Sequence, residues 1–199
     1  INQANLILDN LDIVTSSDDR RNVIEAETKF LRALNYFELV RLWGLPYEAS
    51  TTNNQPGVPL RLTGYEDYSQ PLPAERASVE EVYALILSDL ETAYANLPVT
   101  NTIFATKYAA QALRARVYLQ MQNYAAARDA ANDVIVNSGA RLAPNFASAF
   151  NNDANSVEDL FDFQVTNQTG DSDFITFYAS QDNGGRGGDI VLNQAYFNI

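Results

Sequence analysis

The chain has 199 residues, of which 46% are hydrophobic and 19% are charged, and its formal net charge is −12. This is the composition of a globular protein with a substantial core, and the negative charge argues against nucleic acid or an anionic membrane as a direct partner. Because the sequence contains neither His nor Cys, it excludes His-dependent catalytic triads, His- or thiolate-bound zinc and thiol nucleophiles. We predict neither a metal nor a cofactor.

Two helices are predicted before residue 44. Residues 3–14 form a short apolar helix, and a polar break over residues 16–19 separates it from a long helix over about residues 21–43. The long helix is apolar on two sides, which is typical of the middle layer of stacked helices.

A long irregular loop follows over residues 44–77, where Pro and Gly recur. Ser78 and Glu81 have the spacing of a capping box, in which each residue satisfies a backbone amide of the other. They predict the start of a further helix, which Pro98 ends.

The next two helices, 107–121 and 124–137, are predicted to form a hairpin of the tetratricopeptide type. Thr106 caps the first of them, and Gly139 closes the second. In the turn between them Gln122 replaces the usual Gly, and we predict that Asn123 takes the positive-φ position, which Asn tolerates better than most residues.

The predicted fold class is therefore all-α, with tetratricopeptide-like stacked helix hairpins, long irregular loops and little or no strand. Residues 1–139 are expected to form the helical core, with the long loop at 44–77. Residues 140–199 are expected to be a loop-rich, truncated tail of the same domain. Within this tail the alternation of Phe161, Phe163 and Val165 with polar residues favours a short strand or an extended segment.

Taken in order, these motifs resemble the SusD/RagB family, the nutrient-binding outer-membrane lipoproteins of Bacteroidota. The resemblance covers residues 1–138 well and residues 157–164 loosely, and it suggests an internal portion of a longer protein. The matching stretches are INQAN at 1–5, EAETKFLRA at 25–33, YFELVRLWGLP at 36–46, GVPL at 57–60, RASVEEVY at 76–83, ATK at 105–107 and ARVYL at 115–119.

The resemblance implies a non-catalytic protein that captures an oligo- or polysaccharide and passes it to a SusC-like TonB-dependent transporter. It also implies a surface location on the outer membrane, through a lipid anchor outside this segment. The RagB branch of the family implies a peptide ligand instead of a glycan. The family places an aromatic residue at the position of Trp43 as packing against the following loop, so we expect Trp43 in the core.

Two loop regions carry candidate ligand-binding residues. Tyr offers a flat apolar face with a polar tip, whereas Arg and amide side chains bond to hydroxyls. The alternative is structural, because loop tyrosines often seal a loop onto helices and a Gly-rich segment is often a mobile surface loop. The candidates are Arg61, Tyr65 and Tyr68 in the long loop, and Tyr178, Asn183 and Arg186 in the tail.

Two other classes of function stay open. A tetratricopeptide-type adaptor would bind a peptide or protein on the helix faces around Tyr108, Gln111, Arg114 and Tyr118. A carboxylate-dependent hydrolase would need two acids that converge in space, which sequence cannot exclude. Apart from these roles, we expect the helix arginines to pair with neighbouring acids, as is common on helix surfaces. These are Arg32, Arg41, Arg114 and Arg116.

Overall fold

The computed structural model describes residues 1–67, 69, 74–149, 155–163 and 173–187. The chain divides into two compact units, Ile1–Asp162 and Phe163–Ile199. The first unit contains α1 (Asn2–Asp9), α2 (Asp18–Trp43), α3 (Val79–Asn96), α4 (Lys107–Gln120), α5 (Tyr124–Asn137) and α6 (Phe146–Ala149), and the second contains α7 (Asp173–Tyr178).

The all-α prediction is confirmed. Short 3-10 turns cover Leu11–Ile13 and Gln181–Asn183. Within the described ranges the β-type pairing consists of one isolated bridge between Pro56 and Ser78. No helix in this part of the chain has both the length and the apolar character needed to cross a bilayer. The predicted boundary at residue 139 stays a prediction.

Local sequence explains where the helices begin. The Ser78 hydroxyl accepts from the Glu81 amide while the Glu81 side chain accepts from the Ser78 amide, so the predicted capping box is present. Thr106 caps α4 as predicted. Ser17 accepts from the Arg20 amide at 3.1 Å, and this cap starts α2 earlier than its apolar pattern predicted.

The turn between α4 and α5 differs from its prediction. Gln122 has φ 59°, whereas Asn123 has φ −83°. The Asn123 side chain accepts from the Ala126 amide at 3.2 Å and caps α5. Since the cap position requires a negative φ, the residue before it takes the left-handed conformation.

The helices pack in layers, with α2 between α1 and α3, and α4 between α3 and α5. α2 buries Phe30, Tyr36 and Phe37 with at most 2% exposure, and α3 buries Ile86 and Leu90 completely. This agrees with a helix that is apolar on two sides.

Trp43 does not join this core, and the prediction that it packs there is wrong. Its side chain is 63% exposed, like that of its neighbour Leu42 at 67%. The contact made at this position is by the backbone, because Arg76 donates to the Trp43 carbonyl at 2.5 Å. The last turn of α2 thus extends beyond the layer that covers its middle.

Candidate ligand-binding site

A hydrogen-bond network of buried polar side chains connects three helices to the predicted ligand loop. Arg32 on α2 donates twice to Asp89 on α3, with both distances 2.8 Å, and once to the Asn5 side chain on α1 at 3.1 Å. Asn5 is fully buried and donates to the carbonyls of Arg61 and Thr63, at 2.8 and 3.3 Å. Because a buried polar group is costly unless it is paired, this network fixes the loop backbone.

One face of α1 holds the rest of the same loop segment. The Asn2 side chain accepts from the Tyr65 amide at 2.8 Å and donates to the Tyr65 carbonyl at 2.9 Å. The Asp9 carboxylate accepts from the Gly64 amide at 2.6 Å. A Cβ at Gly64 would lie 2.6 Å from the Leu6 side chain, so the loop approaches α1 at a distance that requires Gly.

Tyr36 anchors the loop from α2. Its hydroxyl accepts from the Arg61 amide at 2.8 Å and donates to the Arg61 carbonyl at 2.9 Å. Burial raises the pKa of Tyr36, although its hydrogen bonding to the Arg61 backbone acts in the opposite direction. The hydroxyl therefore stays protonated and holds both polar groups of one loop residue.

This anchoring presents two of the predicted ligand residues at the surface. Arg61 and Tyr65 are half-buried, and Leu62 between them is 52% exposed. Tyr68, the third predicted ligand residue of the loop, lies outside the described residues. Arg61 and Tyr65 thus lie in one rigid segment, residues 61–65. Its backbone is hydrogen-bonded to α1 and α2.

The earlier part of the long loop is organised for packing. Asn53 is 1% exposed, and its side chain accepts from the Glu48 amide at 2.8 Å and donates to the Glu48 carbonyl at 3.0 Å. The Tyr47 ring packs edge-on against Tyr83 on α3, with the ring centroids 5.0 Å apart. Tyr47 therefore seals the loop onto a helix, which is the structural alternative for loop tyrosines.

The second unit contains the other three predicted ligand residues. Tyr178, at the end of α7, is 61% exposed, and Asn183 and Arg186 are also exposed. The Arg186 amide donates to the Thr176 carbonyl at 2.9 Å, and its guanidinium lies 5.6 Å from the centre of the Phe177 ring. These contacts bring Arg186 beside the helix that carries Tyr178, so both belong to one compact turn.

A groove that the sequence did not predict lies in the first unit. Its volume is about 440 Å³, and its walls are residues 99–106 before α4, residues 138–140 after α5 and residues 155–162. Phe104 is 55% exposed in this groove, and Tyr108 and Asp162 also line it. An exposed aromatic ring beside amides and carboxylates suits a polar ligand with an apolar face. Sequence pattern gave no sign of it, because its walls come from three separate segments.

The adaptor alternative involves three residues that hydrogen-bond within the helical layers, namely Gln111, Arg114 and Tyr118. Gln111 is 8% exposed and donates to Asp133 at 2.9 Å. Tyr94 on α3 donates to the same carboxylate at 2.7 Å, and this hydrogen bond is the main reason why the pKa of Asp133 is lowered. Arg114 donates to Gln111 and Tyr118 and to no acid among the residues that the structure describes, which contradicts its predicted pairing with an acid.

The α1 residues that hold the loop are functional positions that the sequence reasoning missed. Asn2, Asn5 and Asp9 follow the i, i+3, i+7 spacing of one helical face. A polar stripe on an otherwise apolar helix predicts a backbone partner, and this signal was available. The sequence did not indicate which backbone segment this stripe holds, because Asn5 and Arg61 are 56 residues apart in the chain.

A family model and a curated relative both match this chain. A model of the SusD-like family, described as "Starch-binding associating with outer membrane", matches residues 1–119. SusD-like protein P25 of Formosa agariphila is 31% identical over 163 residues, a match that covers 76% of this chain and 27% of that protein.

Solved structures agree with the sequence match. A SusD superfamily protein from Bacteroides thetaiotaomicron is 32% identical with a TM-score of 0.71, covering 83% of this chain and 37% of that one. A laminarin-binding SusD-like protein is 28% identical with a TM-score of 0.60, covering 73% of this chain and 31% of that one. The chain thus spans between 27% and 37% of the length of these relatives.

Proposed function

This chain belongs to the SusD-like family, and we propose that it is the helical part of a receptor that captures an oligo- or polysaccharide without breaking its bonds. The observation that carries the proposal is the anchoring of residues 61–65. Three helices hold this backbone through Asn5, Tyr36 and the Arg32–Asp89 pair. A loop fixed in this way loses little conformational entropy on binding, which favours affinity.

The proposed mechanism is equilibrium capture. In the first unit, Tyr65 supplies a flat face for the C–H surface of a sugar ring and Arg61 donates to its hydroxyls. In the second unit, Tyr178 supplies such a face by itself, and Asn183 and Arg186 donate to hydroxyls. Tyr68 is proposed for the same role as Tyr65.

The proposal includes a partner and a location. The helical layers would dock onto a SusC-like TonB-dependent transporter, and the receptor would sit on the outer membrane through a lipid anchor outside this segment. The description of the matching family model, which names starch binding and the outer membrane, supports the location. The transporter partner is proposed from the resemblance to the SusD/RagB family. A peptide ligand of the RagB type is the alternative that the same scaffold would serve.

A glycan and peptide array with the full-length protein tests the ligand class. We expect retention of one group of glycans, and about tenfold weaker binding after Tyr65→Ala or Tyr178→Ala because each loses a stacking face. Tyr124→Ala is the matched control, since this tyrosine is 65% exposed on α5 and belongs to neither loop segment. Retention of peptides alone, or equal losses in all three variants, would contradict the proposal.

A further inference from the structure

The C-terminal ends of α2 and α4 enclose a second groove, with a volume of about 410 Å³. We call it the arginine groove, because two of its lining residues are arginines and none is acidic. This is unusual in a chain whose net charge is −12. The lining residues are Phe37, Arg41, Arg116, Leu119, Gln120 and Gln122.

The two guanidinium groups of this groove lie over the same aromatic ring. The Arg41 Cζ is 5.1 Å and the Arg116 Cζ is 6.0 Å from the centre of the Phe37 ring. Attraction between the cations and the ring face offsets part of the repulsion between two like charges. Phe37 itself is 2% exposed, so the platform is a rigid part of the core.

A resident carboxylate shows which group this pair of arginines favours. Glu38 Oε1 is 2.9 Å from Arg41 Nη1 and 3.9 Å from Arg116 Nη2. One acid thus serves two arginines, and the cluster keeps one net positive charge. The longer of the two distances leaves Arg116 without a hydrogen bond to any other described residue, and its side chain is 60% exposed.

The remaining lining residues suit the rest of a sugar. Leu119 is 58% exposed and offers an aliphatic face, and Gln120 and Gln122 are exposed amides that donate to and accept from hydroxyls. The planar fork of Arg116 matches a carboxylate with two parallel hydrogen bonds. A uronate ring combines the three features that this lining would contact, which are a carboxylate, hydroxyls and a C–H face.

We propose that the arginine groove binds the carboxylate of a uronate residue, and that the captured glycan is therefore acidic. This inference rests on the proposed function and names its substrate class. The net charge of the chain opposes the approach of a polyanion at long range, but at physiological ionic strength charges more than about 8 Å apart are largely screened. The attraction of the carboxylate to the two nearby guanidinium groups then outweighs the screened repulsion from the net charge.

The test uses the full-length protein and short oligosaccharides of galacturonate, glucuronate and mannuronate, each as the free acid and as its methyl ester. We expect at least one free acid to bind about tenfold tighter than its ester, which keeps the ring and loses the charge. Arg116→Gln should remove this preference. Glu38→Gln should strengthen binding of the free acid about threefold, because it removes the competing carboxylate.

Two control variants change the net charge equally, away from the groove. Arg128→Gln matches Arg116→Gln, since Arg128 is exposed on α5 and paired with Asp129. Glu91→Gln matches Glu38→Gln, since Glu91 is exposed on α3. If every acid and its ester bind equally, or each control behaves like its partner variant, the uronate site is refuted while glycan capture stands.

A poly-glutamate peptide distinguishes an acidic protein segment from a sugar. Binding of this peptide that depends on Arg116, without binding of any uronate, would overturn the inference. Failure of every glycan on the array, neutral and acidic, would instead refute the proposed function itself. Thermal unfolding of each variant checks that the fold is intact.

Discussion

Arg32 connects three helices through one guanidinium group. Its side chain is 8% exposed and that of its partner Asp89 is 3% exposed, and the remaining nitrogen donates to Asn5. Arg41, nine residues later on the same helix, pairs with Glu38 at 2.9 Å. Both of these side chains are more than one third exposed, at 36% and 44%. The two pairs have similar geometry and very different surroundings.

Removal of Arg32 should therefore cost far more than removal of Arg41. Arg32→Met leaves the Asp89 carboxylate buried and unpaired, and we expect the free energy of unfolding to fall by about 3–5 kcal/mol. Arg41→Met, the matched control on an exposed pair, should cost at most about 1 kcal/mol. Chemical denaturation of both variants provides the measurement, and losses of equal size would show that the buried network is not what stabilises α1, α2 and α3.

The sequence predicted that these arginines pair with acids, but it did not predict how far each ion pair is buried. Pairing of Arg41 with Glu38 follows from i, i+3 spacing within one helix. Pairing of Arg32 with Asp89 joins residues 57 apart in the chain. Burial depends on which helices cover a residue, and a single helix pattern does not contain that information.

At the scale of elements, the long loop behaves as part of the helical frame. The Gly57 amide, in the middle of the loop, donates to the carbonyl of Ala77 at its end at 2.7 Å, and Arg76 donates to the Gly57 carbonyl at 2.7 Å. The segment that carries Arg61 and Tyr65 is bonded to α1 and α2. We infer that ligand-binding side chains on this loop are held in place before the ligand arrives.

Tyr36→Phe tests this anchoring directly. The variant keeps the ring and loses the hydroxyl that accepts from the Arg61 amide, so we expect hydrogen exchange at that amide to accelerate about tenfold. The control is Tyr83→Phe, because burial raises the pKa of Tyr83 to about 12 and its hydroxyl has no hydrogen-bond partner among the described residues. Unchanged protection of Arg61 in Tyr36→Phe would mean that α1 alone holds the loop.

The ends of the helices were more predictable than the path of the loop. Ser78 and Thr106 cap helices through side chains three residues from the amides they accept from, and such local signals are visible in sequence. Asn123 was predicted to take the positive-φ position of the turn, but it serves as the helix cap of α5 instead. Local sequence alone did not indicate which of these two roles the residue takes. The loop anchors required contacts across 25 to 63 residues, which no local pattern specifies.

At the scale of the molecule, the helical layers of the first unit carry Arg61 and Tyr65, and the second unit contains Tyr178, Asn183 and Arg186. Helix order and packing could be predicted, since periodicity, caps and the family motifs all agree. The grooves could not, because each is lined by segments distant in the chain. We propose that the assembled surface captures its ligand without breaking a bond in it.

Recovery of the bound glycan tests that proposal most directly. The full-length protein is immobilised, loaded with an oligosaccharide that it retains on the array and left overnight, and the eluted sugar is measured by mass spectrometry. A receptor that only binds should return the oligosaccharide at its original length, in an amount that matches the occupied sites. Shortened products that accumulate with time and with protein concentration would contradict the account and identify a hydrolase.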